Sequence, residues 1–134
     1  MIDQILNSAR ACLETPFRHQ GRVAGVGMDC AGLAVHIVED LGLPYKDMYG
    51  YSRVPHEGKL KAMLDLQPSL QQVSTPEPGD LLLMKFGGEP THIAVFTGST
   101  VIHAYEAAGK VCEHILDSDW KAWIVASYRI RSDS

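Results

Sequence analysis

Gly25-Val26-Gly27-Met28-Asp29-Cys30-Ala31-Gly32-Leu33 sets a cysteine at the point where a glycine-bearing loop becomes a helix. The first N–H groups of a helix have no partner within it, and the positive end of the macrodipole lies there, so an anion is stabilised. A cysteine in that first turn is expected to titrate below its free value of about 8.5 and to act as a thiolate nucleophile. Asp29 is the expected cap, and Leu33, Val35, Ile37, Val38 and Leu41 carry the helix to Gly42.

Upstream, Ile2, Ile5, Leu6, Ala9, Cys12 and Leu13 recur at three-to-four spacing, which predicts an amphipathic first helix that Thr15-Pro16 ends. Cys12 lies on that apolar stripe and is expected to be a small buried hydrophobe. Gly21, Gly25 and Gly27 make the loop before Cys30. Residues 44 to 56 hold Pro44, Gly50, Pro55 and three tyrosines, a composition suited to a surface loop able to line a cleft. Leu60, Met63, Leu64 and Leu66 predict a short third helix over 57–66.

After Pro76-Glu77-Pro78-Gly79 the pattern turns to strands, expected at 80–85, 91–97, 100–106, 110–114 and 123–130, most of them separated by turns at Gly87-Gly88, Gly98-Ser99 and Ala108-Gly109. Helices first and a strand meander afterwards is the α+β pattern, with an antiparallel sheet of about five strands packed on the nucleophile helix. With no linker, repeat or low-complexity segment, residues 1–134 read as a single domain.

Composition narrows the roles open to Cys30. A hydrophobic fraction of 46% with 21% charged residues is ordinary for a globular chain. A net charge of −4 leaves no basic field for phosphates, which argues against nucleic acid as the partner. Cys12, Cys30 and Cys112 are an odd set without a Cys-x-x-Cys pair, so neither a disulfide framework nor a closed zinc site is expected. The start Met1-Ile2-Asp3-Gln4-Ile5 lacks the features of a signal peptide, and no apolar run reaches membrane-spanning length. The expectation is synthesis in the cytoplasm without membrane insertion.

A cysteine nucleophile needs an imidazole to take and return its proton, and that imidazole needs a third group to fix its tautomer. His92 opens the strand His92-Ile93-Ala94-Val95-Phe96, and His103 lies eleven residues on, across the turn at Gly98-Ser99. Strands joined by a hairpin set such residues side by side, which allows a chain from Cys30 through His92 to His103. His36 is six positions beyond Cys30, too far round the helix to share its face, and His19 sits in the loop before the nucleophile. His56 and His114 have only their polarity to recommend them. His103, Cys112 and His114 show no usual ligand spacing, so neither a metal nor an organic cofactor is expected.

Taken together, Thr15-Pro16-Phe17-Arg18, Asp29-Cys30-Ala31-Gly32-Leu33, Pro78-Gly79-Asp80-Leu81, His92-Ile93-Ala94-Val95-Phe96 and Ile102-His103-Ala104 resemble, in order and spacing, the motifs of the NlpC family of papain-like bacterial cell-wall peptidases. The resemblance runs from about residue 9 to residue 130. It implies a papain-like fold with Cys30 as nucleophile, His92 as base and His103 as its orienter. It further implies substrate contacts at Phe17, Arg18, His19, Asp29 and Ala31. Phe17 stands where many members have tyrosine, and Ala31 replaces a serine thought to contact the substrate's amino end with the preceding aspartate.

Arg18-His19-Gln20-Gly21 and the segment Asp119-Trp120-Lys121-Ala122-Trp123 are similar to the short peptidases encoded with phage tail genes and gene-transfer particles. This implies a tail-tip enzyme that cuts peptidoglycan stem peptides, at the bond between D-glutamate and diaminopimelate, in the host's periplasmic cell wall. Other tail-tip proteins are the implied partners. A structural tail component with weak or no catalysis, and an amidase or acyltransferase of the same fold, remain open alternatives.

Overall fold

The computed structural model describes residues 1–47, 59–86 and 92–132. In chain order the elements are α1 (Ile2–Ala11), β1 (Arg22–Val23), β2 (Gly27–Met28), α2 (Cys30–Asp40), α3 (Lys59–Asp65), β3 (Leu70–Val73), β4 (Leu81–Met84), β5 (His92–Phe96), β6 (Thr100–Tyr105), a 3₁₀ turn (Glu106–Ala108), β7 (Lys110–Ile115), α4 (Ser118–Ala122) and β8 (Ile124–Ile130). Helices packed on an antiparallel sheet make this an α+β fold.

The large sheet has six strands in the order β3-β8-β4-β5-β6-β7. Leu70–Val73 supplies the strand not expected from the sequence; it is short, half polar, and an edge strand whose one strand partner among the described residues is β8. Nor is the sheet a plain meander, because β8 lies between β3 and β4. The glycine loop also holds more than a turn: Arg22–Val23 and Gly27–Met28 form a two-stranded antiparallel ribbon, closed at Gly25 with φ +80°. The tryptophan segment winds into α4, capped by Asp117 on the Trp120 N–H. Gly87, Gly88, Thr91, Tyr49, Tyr51 and His56 lie outside the described residues.

Alternation along the strands divides the core in two. One face of the sheet, with Leu81, Leu83, Ile93, Val95, Ile102, Ala104 and Val111, packs against α1, α2 and α3. Cys12 belongs to this core and is fully buried, as expected. Leu82, Met84, Ala94, Val101 and Leu116 form a smaller cluster on the other face, with Phe96, Trp120 and Ile124 packed around it. By the register of β5, β6 and β7, the second face also carries His92, His103 and His114. The histidines therefore sit on the sheet side covered by α4.

Pro78-Gly79-Asp80-Leu81 is the clamp that seats β4. Gly79, at φ +93°, donates its N–H to the Phe96 carbonyl at 2.7 Å, and the Asp80 carbonyl accepts from Phe96 N–H at 2.9 Å. The buried Asp80 carboxylate takes both ends of Arg129 on β8, at 3.1 and 3.0 Å, and the Glu77 N–H at 2.8 Å. Asp80→Ala strands the Arg129 fork and the Glu77 turn donor, and is expected to lower stability by about 3 kcal/mol, read as the shift in denaturant midpoint at constant slope.

Candidate active site

α2 begins where it does because Asp29 stops the chain from entering the helix one residue earlier. Its buried carboxylate accepts the Gly32 N–H at 2.8 Å, the Gln20 N–H at 2.9 Å and Arg22 Nη1 at 3.0 Å. Arg22 in turn grips Asp47 through Nε and Nη2, each at 3.0 Å. One carboxylate thus ties the helix start to the loop before it and, through Arg22, to residue 47. Gln20 meets this bond with φ +61°, a conformation non-glycine residues seldom adopt.

Close backbone approach holds the same junction from the other side. A Cβ on Gly32 would lie 2.1 Å from the Gly21 carbonyl oxygen, and one on Gly21 would lie 2.6 Å from the Gly27 carbonyl oxygen. The first turn of α2 therefore rests directly on loop backbone, and the position of Cys30 follows from it.

Cys30 is half-buried as a residue, with its sulfur turned inward against the N–H groups of Ile93 and Ala31. Ile93 directly follows His92, so the thiol stands at the start of β5. The expected low-pKa thiolate is not what the site holds. Burial, reinforced by the neighbouring Asp29 carboxylate, pushes the thiol up to about 12, against the downward pull of the Ile93 and Ala31 N–H groups and of Arg22. Partial helix charges are outweighed by the loss of water. Burial likewise pushes His92 down to about 3, with the neighbouring His114 adding to the effect. The Cys30 thiol and the His92 imidazole thus both rest neutral.

His92 Nε2 and His103 Nδ1 are 2.6 Å apart, the side-by-side placement expected from the β5–β6 hairpin. His103 is fully enclosed and is held down to about 2, chiefly by burial and then by His92 and His114. The chain of rings does not end there. His103 Nε2 is 2.8 Å from His114 Nε2, and His114 Nδ1 is 3.0 Å from the Ile115 carbonyl oxygen.

Aromatic side chains wrap this row. Tyr105 stacks on His103 at 5.0 Å and 12°, and Trp120 stands edge-on to His103 at 5.3 Å and against His114 at 4.6 Å. Phe86 lies 5.2 Å from His92 and packs on both Trp120 and Trp123. His114 and this aromatic cover escaped the sequence reading. The β6–β7 register carries the signal: His103 pairs with Cys112, which sets His114 diagonally beside it on the same face.

The other expected contact residues separate into two groups. Arg18 is exposed, with its stem along Gly27, and His19 is half-buried with Nε2 3.4 Å from Gln20 Nε2. Phe17 packs on the main core, and its backbone bridges to Met28. Ala31 is buried on the core side of α2 and lines, with Ile93, Leu81 and Tyr45, a narrow apolar cavity of about 40 Å³. Among the described residues no group of three or more His, Cys, Asp and Glu side chains is arranged to hold a metal ion.

Taken as a whole, the chain matches known proteins. The model of the NlpC/P60 family matches residues 14–129. The chain belongs to the NlpC/P60 family. No curated protein matches significantly.

Among solved structures, an NlpC/P60 family protein from Bacillus cereus superposes with a TM-score of 0.70 at 20% identity, over 98% of this chain and 41% of that one. The peptidoglycan hydrolase RipB from Mycobacterium tuberculosis gives 0.69 at 18% identity, over 98% of this chain and 65% of that one. The NlpC/P60 domain of the peptidoglycan hydrolase SagA gives 0.64 at 23% identity, over 97% and 99%. The chain thus spans about two fifths of the Bacillus protein and nearly the whole SagA domain.

Two predictions follow from this NlpC/P60 site. Gly32→Ala drives a methyl into the Gly21 carbonyl, so α2 must shift and carry Cys30 with it; a loss of about 1–3 kcal/mol in thermal or denaturant stability is expected. The buried histidines also set an acid limit. Their folded pKa values lie below the unfolded value of about 6.5, so the unfolded chain binds more protons below that pH and stability falls from about pH 6.5 towards 3. Between pH 7 and 5 each contributes a loss of about 2 kcal/mol. Denaturant titrations should show His103→Asn roughly halving the part of that drop due to the pair.

Proposed function

We propose that this NlpC/P60 chain is a cysteine endopeptidase that cuts the stem peptides of peptidoglycan. The observation that carries the reading is the 2.6 Å bond between buried His92 and His103, next to a thiol seated at the start of α2 under the Ile93 N–H. Such a row serves acyl transfer and has little use as mere packing, because burying neutral imidazoles costs stability at acid pH. SagA and RipB, peptidoglycan hydrolases both, agree in substrate class.

In the proposed reaction His92 takes the Cys30 thiol proton as the sulfur attacks the carbonyl carbon of the scissile amide. A neutral starting pair makes that transfer concurrent with attack, and the Cys30 N–H at the helix start is placed to donate to the developing oxyanion. His92 then gives the proton to the leaving amine, the C–N bond breaks, and an acyl thioester remains on Cys30. Water, losing a proton to His92, adds to the thioester; the C–S bond breaks and the thiol is restored. His103 orients the His92 ring throughout. The chain's own residues suffice for these steps.

The bond between D-glutamate and diaminopimelate is the proposed target, with Arg18 and His19, which border the helix-start loop, shaping the subsite, and the inward-facing Phe17, Asp29 and Ala31 supporting it from beneath. Asp29 already caps α2, so its part is to hold the loop that meets the substrate. Likeness of Arg18-His19-Gln20-Gly21 and of the tryptophan segment to tail-encoded peptidases supports a role at a phage tail tip, acting on the host's periplasmic wall. A structural tail role with weak catalysis is the second reading; Phe17, which lacks the tyrosine hydroxyl, and the high Cys30 pKa favour it.

Digestion of Gram-negative sacculi followed by mass spectrometry of the released fragments tests the proposal. New amino termini on diaminopimelate are expected with the wild type, and on the order of 10³-fold less release with Cys30→Ala or His92→Ala. Equal release by wild type and Cys30→Ala overturns the enzyme; release of other termini overturns the bond.

A further inference from the structure

The row of histidines has a direction, and it is set at its far end. A carbonyl oxygen only accepts, so the 3.0 Å contact of His114 Nδ1 with the Ile115 oxygen requires the proton of a neutral His114 to sit on Nδ1. His114 Nε2 is then bare and must accept from His103 Nε2, 2.8 Å away. That puts the single proton of neutral His103 on Nε2 and leaves its Nδ1 to accept from His92 Nε2 at 2.6 Å. His92 therefore carries its proton on Nε2, and its Nδ1 is left as the lone pair. Each step uses one proton per ring.

We propose that His114 is a positioning residue of this site: anchored on the Ile115 carbonyl, it fixes the tautomers of His103 and His92 so that His92 presents an unprotonated Nδ1 to Cys30. This rests on the peptidase reading for its consequence, though the tautomers themselves do not. Without the anchor the two directions of the chain are close in energy, and only one leaves His92 Nδ1 able to take the thiol proton.

The same logic makes His114 a proton sensor. A proton added to its Nε2 turns that atom into a donor, so His103 Nε2 must become the acceptor. His103 then carries its one proton on Nδ1 and donates to His92 Nε2, and His92 carries its one proton on Nδ1. The row has gained one proton in all, yet the base at the far end is blocked. His103 faces His114 directly, with His92 behind it. Cys112 stands two residues along β7 on the same face, and Trp120 covers the ring from α4, whose charged residues are Asp119 and Lys121, with Asp117 at its cap. His114 is half-buried whereas His92 and His103 are buried, so it is the ring of the three that solvent protons reach.

Four variants and one spectroscopic measurement decide the matter. His114→Gln keeps an acceptor that does not titrate: its kcat should match the wild type above pH 7, and its acid limb should move to lower pH. His114→Leu removes the acceptor and should lower kcat about tenfold with KM unchanged. His114→Arg is a permanent donor that imposes the blocked direction, and should lower kcat on the order of a hundredfold or more. Ile115→Val keeps the backbone carbonyl and should leave kcat as it is. Folded fraction is measured at each pH.

Independently of any substrate, ¹⁵N spectra of histidine-labelled protein at pH 7.5 should show bare Nδ1 on His92 and His103 and protonated Nδ1 on His114. The opposite pattern, an unchanged kcat in His114→Leu, or a wild-type acid limb in His114→Gln overturns the proposal. The expected tautomers in a protein that releases nothing from sacculi leave the relay standing and defeat the peptidase.

Discussion

The Asp29 carboxylate is the constraint on which the site depends. It takes one donor from the helix it caps, one from the loop before it and one from Arg22, so three pieces of chain converge on a single anion. A buried carboxylate with three donors is stable where a lone one is not. The close approach of Gly32 to Gly21 completes the seat, because hydrogen bonds fix direction while the missing side chains fix distance. Cys30 inherits its place from both.

Burial then decides the chemistry. A helix start favours a thiolate by a partial charge, but an enclosed sulfur and an enclosed imidazole both lose their water, and the larger effect keeps both neutral. Neither group carries a standing charge. Phe86, Tyr105, Trp120 and Trp123 serve that end by keeping the histidine row dry from the side that faces away from α2.

What the sequence made legible was local. Asp29 and Gly42 bracket α2, apolar spacing marks α1, and the strand from His92 and the strand through His103 are set side by side by a short turn, so the helix that starts at Cys30 and the neighbouring places of His92 and His103 were readable. The missed parts depend on distant partners or on very short pieces. Leu70-Gln71-Gln72-Val73 has no strand signature until β8 returns beside it, β1 and β2 are two residues each, and His114 gains a role only once the β6–β7 register is known. The pKa of Cys30 was misjudged because a position along the chain reveals the dipole but not the burial.

β8 sits between β3 and β4 although it is the last of the described strands to be made. It joins the strand after α3 to β4 and, through β4, to the three strands that carry the histidines, by registers that span forty residues or more. Until residue 130 has left the ribosome, β3 has no neighbour and β4 has a bare edge. Synthesis therefore yields a chain whose sheet closes in a single late event, and its contacts are of the long-range kind that folds slowly. That order keeps the histidine row on an open-edged sheet until the polypeptide through this strand is finished.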